Sequence, residues 1–239
     1  MNKQPGTNGR PDVLAQVRRA LGRAETVRPE PLEPFVERAD DIGADELVAR
    51  FTAELSAVGA HVHRAASESE AAAFVARVCA EAGAGEVALS GSPLVAELGL
   101  AAGLAARGLQ SFHVTDFAPH ERAGLIARLE GCGAGVTAAD YAIAETGTLV
   151  LTGDEEGALL ASLLPAVHIA LLLPRQIGGS LAEVVGRLKR ERMGRDLHRG
   201  PTCRSATFIT GPSRTSDVEL VLSIGVHGPK QLHVVIIGS

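Results

Sequence analysis

The sequence predicts an α/β protein built on a largely parallel sheet with helices over both faces. Three observations carry this. Helix-patterned and strand-patterned segments alternate through most of the 239 residues, the order produced by parallel strands with helical crossovers. The run from Val167 to Leu173 is apolar apart from His168 at its start, as in a strand covered on both sides. A content of 46% hydrophobic residues suffices for one substantial core in a single domain of this size.

Residues Met1 to Arg10 are polar. After Pro11, Val13, Leu14, Val17 and Leu21 recur at helical spacing and Gly22 offers a stop. The segment TVRPEPLEP, Thr26 to Pro34, carries three prolines and suits an extended connector. The chain therefore divides into residues 1–34, a short amphipathic helix on a Pro-rich linker, and a main α/β domain, residues 35–239.

In the main domain, Ala44 to Val58 reads as helix and Ala60 to Arg64 as strand. Ser67 to Ala82 reads as a helix opened by Ser67 and Glu70 at capping-box spacing. His61 and His63 share one face of their strand, but chelation needs a third ligand that the neighbourhood lacks, so they read as an edge-strand pair. Val87 to Leu89 is a short buried strand that ends in the polar loop Ser90-Gly91-Ser92-Pro93 before another helix. Gln110 to Thr115 is strand and His120 to Glu130 helix. The glycine cluster Gly131 to Gly135 follows a helix rather than a strand, so it reads as a turn and not as a dinucleotide fingerprint. Gly157 to Leu164 is helix, broken by Pro165. His168 opens the next strand and reads as a core or strand-edge histidine ahead of a ligand contact. Gly179 to Arg192 is helix; Ala206 to Thr210 and Leu232 to Ile237 are strands.

Composition excludes several function classes. With 28 acidic and 23 basic residues, no Trp and one Tyr, the chain lacks the basic groove and stacking platforms that grip nucleic acid. No apolar run approaches the roughly 18 to 20 residues that span a bilayer, so no membrane partner is expected. The opening MNKQPGTNGRPD lacks the apolar segment of a secretory signal, and a cytoplasmic location is expected. Cys79, Cys132 and Cys203 are far apart without Cys-x-x-Cys spacing, which argues against a disulfide framework and against a zinc or iron–sulfur site built by this chain alone. The basic run from Arg187 to Arg204 reads as a solvated helix face and loop, with docking of an acidic partner or phosphorylated ligand as the alternative.

Three polar clusters remain. Glu145-Thr146-Gly147-Thr148 interrupts an apolar stretch, and strand alternation puts Glu145 in phase with Tyr141 and Ile143. An unpartnered carboxylate there is costly. The insert is therefore a turn, with Gly147 breaking the phase, or a site with donors around the carboxylate. After the strand ATFIT, Gly211 to Glu219 reads as a loop entering a helix, with Ser216 as N-cap and Glu219 completing a capping box. Such a loop is an anion site, with Arg214 as a bidentate clamp, or a structural turn. His227 lies in a turn between this last helix and the last strand and can act as acid, base or donor. In an open α/β sheet the ligand crevice lies beyond the carboxyl ends of the strands. The loops after ATFIT and before GTLVL can both line it, whereas His227 precedes its own strand.

The blocks ADYAIAETGTLVL, LPAVHIALLLP, TFITGPSRTSDVEL and GVHGPKQLHVVII, in that order, resemble the lactate utilization protein C family, whose shared module is the LUD domain. The resemblance implies a three-layer α/β/α sandwich related to glucosamine-phosphate isomerase, ribose-phosphate isomerase and coenzyme A transferases. It also implies a bacterial role in oxidising L-lactate to pyruvate beside two companion proteins, at least one bearing iron–sulfur clusters, this chain being the subunit without them. Carried over by position, the family's signature falls on Glu145, Thr146, Gly147, Thr148, Gly211, Ser213, Arg214, Thr215, Asp217, Glu219, His227 and Gly228. Glu145, Asp217 and His227 are the candidate catalytic groups. Thr146, Gly147, Thr148, Gly211, Ser213, Arg214 and Thr215 are the candidates for holding a small carboxylate or phosphate. No metal or cofactor is expected on this chain; iron–sulfur proteins are the expected partners, and a homo-oligomer is left open. Two alternatives stand beside this. Glu145-Thr146-Gly147 resembles the Glu-x-Gly loop of coenzyme A transferases, which implies a transferase- or isomerase-like enzyme with a carboxylate nucleophile. The other is a regulatory subunit that senses a metabolite.

Overall fold

The computed structural model describes residues 42–153, 156–191, 203, 205–216 and 222–238, with positions 16, 19 and 20 isolated before them. The chain divides into two units, Met1–Val36 and Glu37–Ser239. In the first, Gln16, Arg19 and Ala20 are helical and exposed. The second holds all the elements that follow.

Its first half runs α1 (Ala44–Ala57), β1 (His61–Ala65), α2 (Glu68–Glu81), β2 (Glu86–Leu89), α3 (Pro93–Glu97), α4 (Leu100–Ala105), β3 (Gln110–His113), α5 (Arg122–Gly131) and β4 (Ala134–Ala138). Next come β5 (Tyr141–Ile143), β6 (Thr148–Thr152), α6 (Glu156–Leu163), β7 (Val167–Leu172), β8 (Ile177–Gly178) and α7 (Leu181–Glu191). Four strands close the chain: β9 (Ala206–Ile209), β10 (Arg214–Ser216), β11 (Leu222–Ile224) and β12 (Gln231–Ile237).

Six strands form the central sheet in the order β1-β12-β7-β4-β2-β3, and every neighbouring pair is parallel. Strand alternation serves both faces. Leu89, Val136, Ile169 and Val235 pack with Val75, Val95 and Leu104 from α2, α3 and α4. On the other face Ala170, Leu172, Val234 and Ile236 pack with Val48, Phe51 and Leu55 of α1, while Ala88 meets Leu125 and Leu129 of α5 and Ala161 of α6. This is the expected three-layer arrangement. Helix α1 forms because Val48, Phe51 and Leu55 recur on one face and are buried there. Helix α2 starts where expected: the Ser67 hydroxyl accepts from Glu70 N–H at 3.2 Å, and the Glu70 carboxylate accepts from Ala66 N–H at 2.8 Å.

Two segments differ from expectation. The stretch around Glu145 is a hairpin rather than one interrupted strand: β5 and β6 pair antiparallel, Tyr141 opposite Val150 and Ile143 opposite Thr148. They belong to a second, four-stranded sheet ordered β8-β5-β6-β9. Gly147 makes the turn with φ of +59°, and a Cβ there would lie 2.3 Å from Leu55 N in α1, so only glycine fits. The insert is thus a turn in which Gly147 breaks the strand phase.

The second difference is the expected last helix. Ser216 lies in β10 opposite Leu222 of β11, so it is not an N-cap, and Leu222–Ile224 is strand. A short apolar run such as LVLSI carries no period that separates helix from strand, and pairing with the segment before it decides the matter. Asp217 and Glu219 lie outside the described residues. His61 stacks on His233 at 4.8 Å and His63 on Phe74 at 4.0 Å, and no group of three metal-ligating side chains is gathered among the described residues. None of the described helices is long and apolar enough to cross a membrane.

Candidate functional site

Several signature residues meet the end of α1. Gly147 lies against Leu55, and a Cβ on Gly211 would come within 3.0 Å of Val58. Arg214 donates to the Val58 carbonyl, a helix-end acceptor with no partner inside its own helix. The Arg214 guanidinium thus docks on a bare helix-end carbonyl at the negative end of the α1 dipole. Thr146 and Thr148 share a hydroxyl hydrogen bond of 2.7 Å, and Thr148 reaches Thr210 at 2.7 Å. This chain of hydroxyls brings the first cluster beside the second. Thr215 pairs with Ser223 across β10 and β11.

Glu145 turns away from both. Its Oε1 accepts from Leu181 N–H at 2.6 Å, and its own N–H donates to the Gly179 carbonyl at 3.1 Å. The carboxylate therefore caps the start of α7, where free N–H groups and the positive dipole end favour it. His227 is not brought to Glu145; it joins the second cluster instead.

That meeting makes one cavity. A cleft of about 330 Å³ is lined by Thr207–Ser213, His227, Gly228, Pro229, Leu232, His168 and Leu159, Leu160, Ser162 and Leu163 of α6. Ser213 N–H donates to Pro229 O at 2.9 Å and Gly225 N–H to Ser213 O at 3.0 Å, which holds the two loops together. His227 shares a site with Gly211 and Ser213 because β9 belongs to the second sheet, antiparallel to β6, so its carboxyl end reaches the amino end of β12. The rim is apolar, with Leu163 and Phe208 exposed. Beneath it His168 is buried, its Nε2 2.8 Å from the Thr137 hydroxyl and its Nδ1 without a partner. Burial pushes the imidazole down to about 3, so it is neutral at physiological pH.

The second cavity, of about 350 Å³, lies at the carboxyl ends of β2, β4 and β7 and is lined by Ser90, Ser92, Glu97, Asp140, Thr152, Arg175 and Gln176 among others. Asp140 Oδ2 accepts from Thr152 N–H at 2.8 Å and from its hydroxyl at 2.9 Å. Gln176 donates to Ala139 O at 2.6 Å and accepts from Leu173 N–H at 2.7 Å, tying the loop after β4 to the loop after β7. The loop after ATFIT, expected at this crevice, lines the first cleft instead. The polar SGSP segment directly after a buried strand was the one local signal for the crevice. Cys79, Cys132 and Cys203 are free and buried. Burial pushes the Cys79 thiol up to about 12 and that of Cys132 up to about 11, so these two remain protonated and are poor metal ligands as they stand.

A parallel sheet covered on both faces by helices defines a three-layer α/β protein. Residues 48–237 match the LUD domain, and the chain belongs to the LUD domain family. It is 30% identical to the protein YkgG of Escherichia coli K12 over 96% of this chain and 98% of that one. Lactate utilization protein C of Halalkalibacterium halodurans is 35% identical over 51% of this chain and 53% of its own length. For lactate utilization protein C of Deinococcus radiodurans the identity is 36% over 47% and 50%, so these two alignments span about half of each relative. The crystal structure of a DUF162 family protein from Deinococcus radiodurans superposes with a TM-score of 0.56 at 21% identity, covering 82% of this chain and 99% of that one, a likeness of fold.

Proposed function

We propose that this chain is the cluster-free subunit of an L-lactate utilization system, working with iron–sulfur partner proteins and itself binding a small anionic ligand. L-lactate becomes pyruvate by losing two electrons and two protons; in this reading the electrons pass to the partners' clusters. The observation that carries the proposal is the convergence of three of the four family-like blocks on one cleft, which they line with His168, with Thr207–Ser213, and with His227, Gly228, Pro229 and Leu232. A well-formed apolar pocket with a few convergent polar groups is the default place for a ligand. Its polar groups are the His227 imidazole, the Thr210 and Ser213 hydroxyls and the neutral His168, a set suited to hydrogen-bonding and proton transfer.

The test is reconstitution with the two companion proteins, followed by L-lactate-dependent dye reduction. The complete set is expected to reduce dye, the set without this chain is not, and His227→Ala is expected to lower the rate by about tenfold or more. Companion proteins that work equally well with and without this chain would refute the proposal.

A further inference from the structure

We propose that the crevice at the carboxyl ends of β2, β4 and β7 is a binding site for the zwitterion of an aliphatic α-amino acid. It is a different cavity from the cleft lined by family-like blocks, at the other end of β7, and the inference stands whether or not the chain takes part in lactate utilization.

Topology gives the crevice two unlike walls. β4 stands between β7 and β2 in the central sheet, and strands spaced about 4.8 Å apart put the loops after β2 and β7 roughly 10 Å from each other. In that sheet the next strand after β2 is β3, on one side, and the next after β4 is β7, on the other. Where successive connections part in this way a space opens between the loops. The space is about 350 Å³. The bonds of Gln176 to Ala139 and Leu173 join the β4 loop to the β7 wall before any ligand arrives, which lowers the cost of binding.

The two walls carry opposite charges. Glu97 follows β2 and Arg175 follows β7; both are exposed, both line the crevice, and neither makes an ion pair among the described residues. Ser90 stands on the Glu97 side at the end of β2, held there by its N–H, which donates to Val136 O at 2.9 Å. Its hydroxyl is buried and has no partner, although buried hydroxyls in folded proteins are nearly always paired. An ammonium supplies a donor for the Ser90 oxygen and a counter-ion for Glu97. A carboxylate on the opposite side meets the Arg175 guanidinium in bidentate geometry. Asp140 lies on the β4 loop between them, and its Oδ2 already accepts from the Thr152 N–H and hydroxyl. With that carboxylate included the lining is negative by about one charge, which disfavours a ligand of net negative charge and leaves a neutral zwitterion unopposed. Leu94, Ala138, Leu151, Ala158 and Leu173 supply apolar surface in the same space, which suits an aliphatic side chain.

The test is calorimetry with ligand-observed NMR on the full chain. The probes are L-leucine, 3-methylbutylamine (the same skeleton without the carboxylate), 4-methylpentanoate (without the amine), glycine and L-aspartate. L-leucine is expected to bind about tenfold or more tightly than each of the other four. Arg175→Gln is expected to weaken L-leucine by about tenfold without weakening 3-methylbutylamine. Glu97→Gln is expected to weaken L-leucine by about three- to tenfold without weakening 4-methylpentanoate. Both variants are expected to keep the native thermal midpoint, since both side chains are exposed. Ser90→Ala is expected to weaken L-leucine by about three- to tenfold, and His227→Ala to bind it as the native chain does. Equal or tighter binding of any of the other four probes, native affinity in Arg175→Gln or Glu97→Gln, loss in His227→Ala, or no saturable binding of L-leucine would each overturn the proposal.

Discussion

Replacing His168 by leucine together with Thr137 by valine removes an ionisable group from beneath the cleft, and acid exposes its contribution to stability. In the folded chain burial holds the imidazole at about 3, against 6.5 for the ordinary group. As pH falls the unfolded chain takes up this proton first. The contribution of His168 is therefore intact above about 6.5 and drains away as the pH falls toward about 3. At about pH 5 the unfolded imidazole lies about 1.5 units below its own pKa, so protonation favours unfolding by about 2 kcal/mol. Valine at position 137 is needed because the Thr137 hydroxyl is buried and bonded to His168; leucine alone would strand it at a cost of about 1–3 kcal/mol. The assay is urea unfolding at about pH 7 and about pH 5. Native protein is expected to lose about 2 kcal/mol more than the double variant over that interval. His233, also lowered, first by burial and then by His61, titrates in both proteins and cancels in the difference. Equal losses would show that the imidazole is protonated in the folded state and would undo the account of the cleft floor.

Three further outcomes follow from the geometry. Gly147→Ala places a methyl against the α1 backbone at positive φ and is expected to cost at least about 3 kcal/mol in thermal or urea unfolding; a loss below about 1 kcal/mol would mean that the hairpin turn does not seat on α1. Arg214→Ala is expected to lower stability by about 0.5–1.5 kcal/mol through the Val58 carbonyl, with carboxylate binding unchanged; lost binding at full stability would restore the clamp. Cys79, held at about 12, is expected to resist iodoacetamide in the native protein and to react once urea unfolds it, read by peptide mass spectrometry; rapid native labelling would contradict its burial.

Much of the frame was legible because its signals are local. The apolar Val167–Leu173 run, broken only by His168, announced a central strand, and β7 is one; the spacing of Ser67 and Glu70 marked the start of α2, and both side chains cap it. The misreadings share a physical origin. Leu222–Ile224 has no decisive period, and pairing with Arg214–Ser216 made it strand. Arg214 looked free in sequence because its acceptor, Val58, lies on a distant helix. The partner of the Glu145 carboxylate, Leu181, is likewise remote in the chain. Ser90, Asp140 and Arg175 drew no attention as a group, since they stand on three loops that only the folded sheet collects.

The glycine at position 135 has a reach beyond its own strand. A methyl there would lie 2.0 Å from the Ala161 carbonyl, so α6 rests directly on β4 with nothing but hydrogen between them. The same helix presents Ala158 to the crevice and Leu159, Leu160, Ser162 and Leu163 to the cleft, making it a partition one helix thick between two chambers. Adding a single carbon at Gly135 would lift this partition and reshape both chambers together. Substitutions in the loops can therefore alter either cavity separately, but the wall they share is anchored where a side chain has no room.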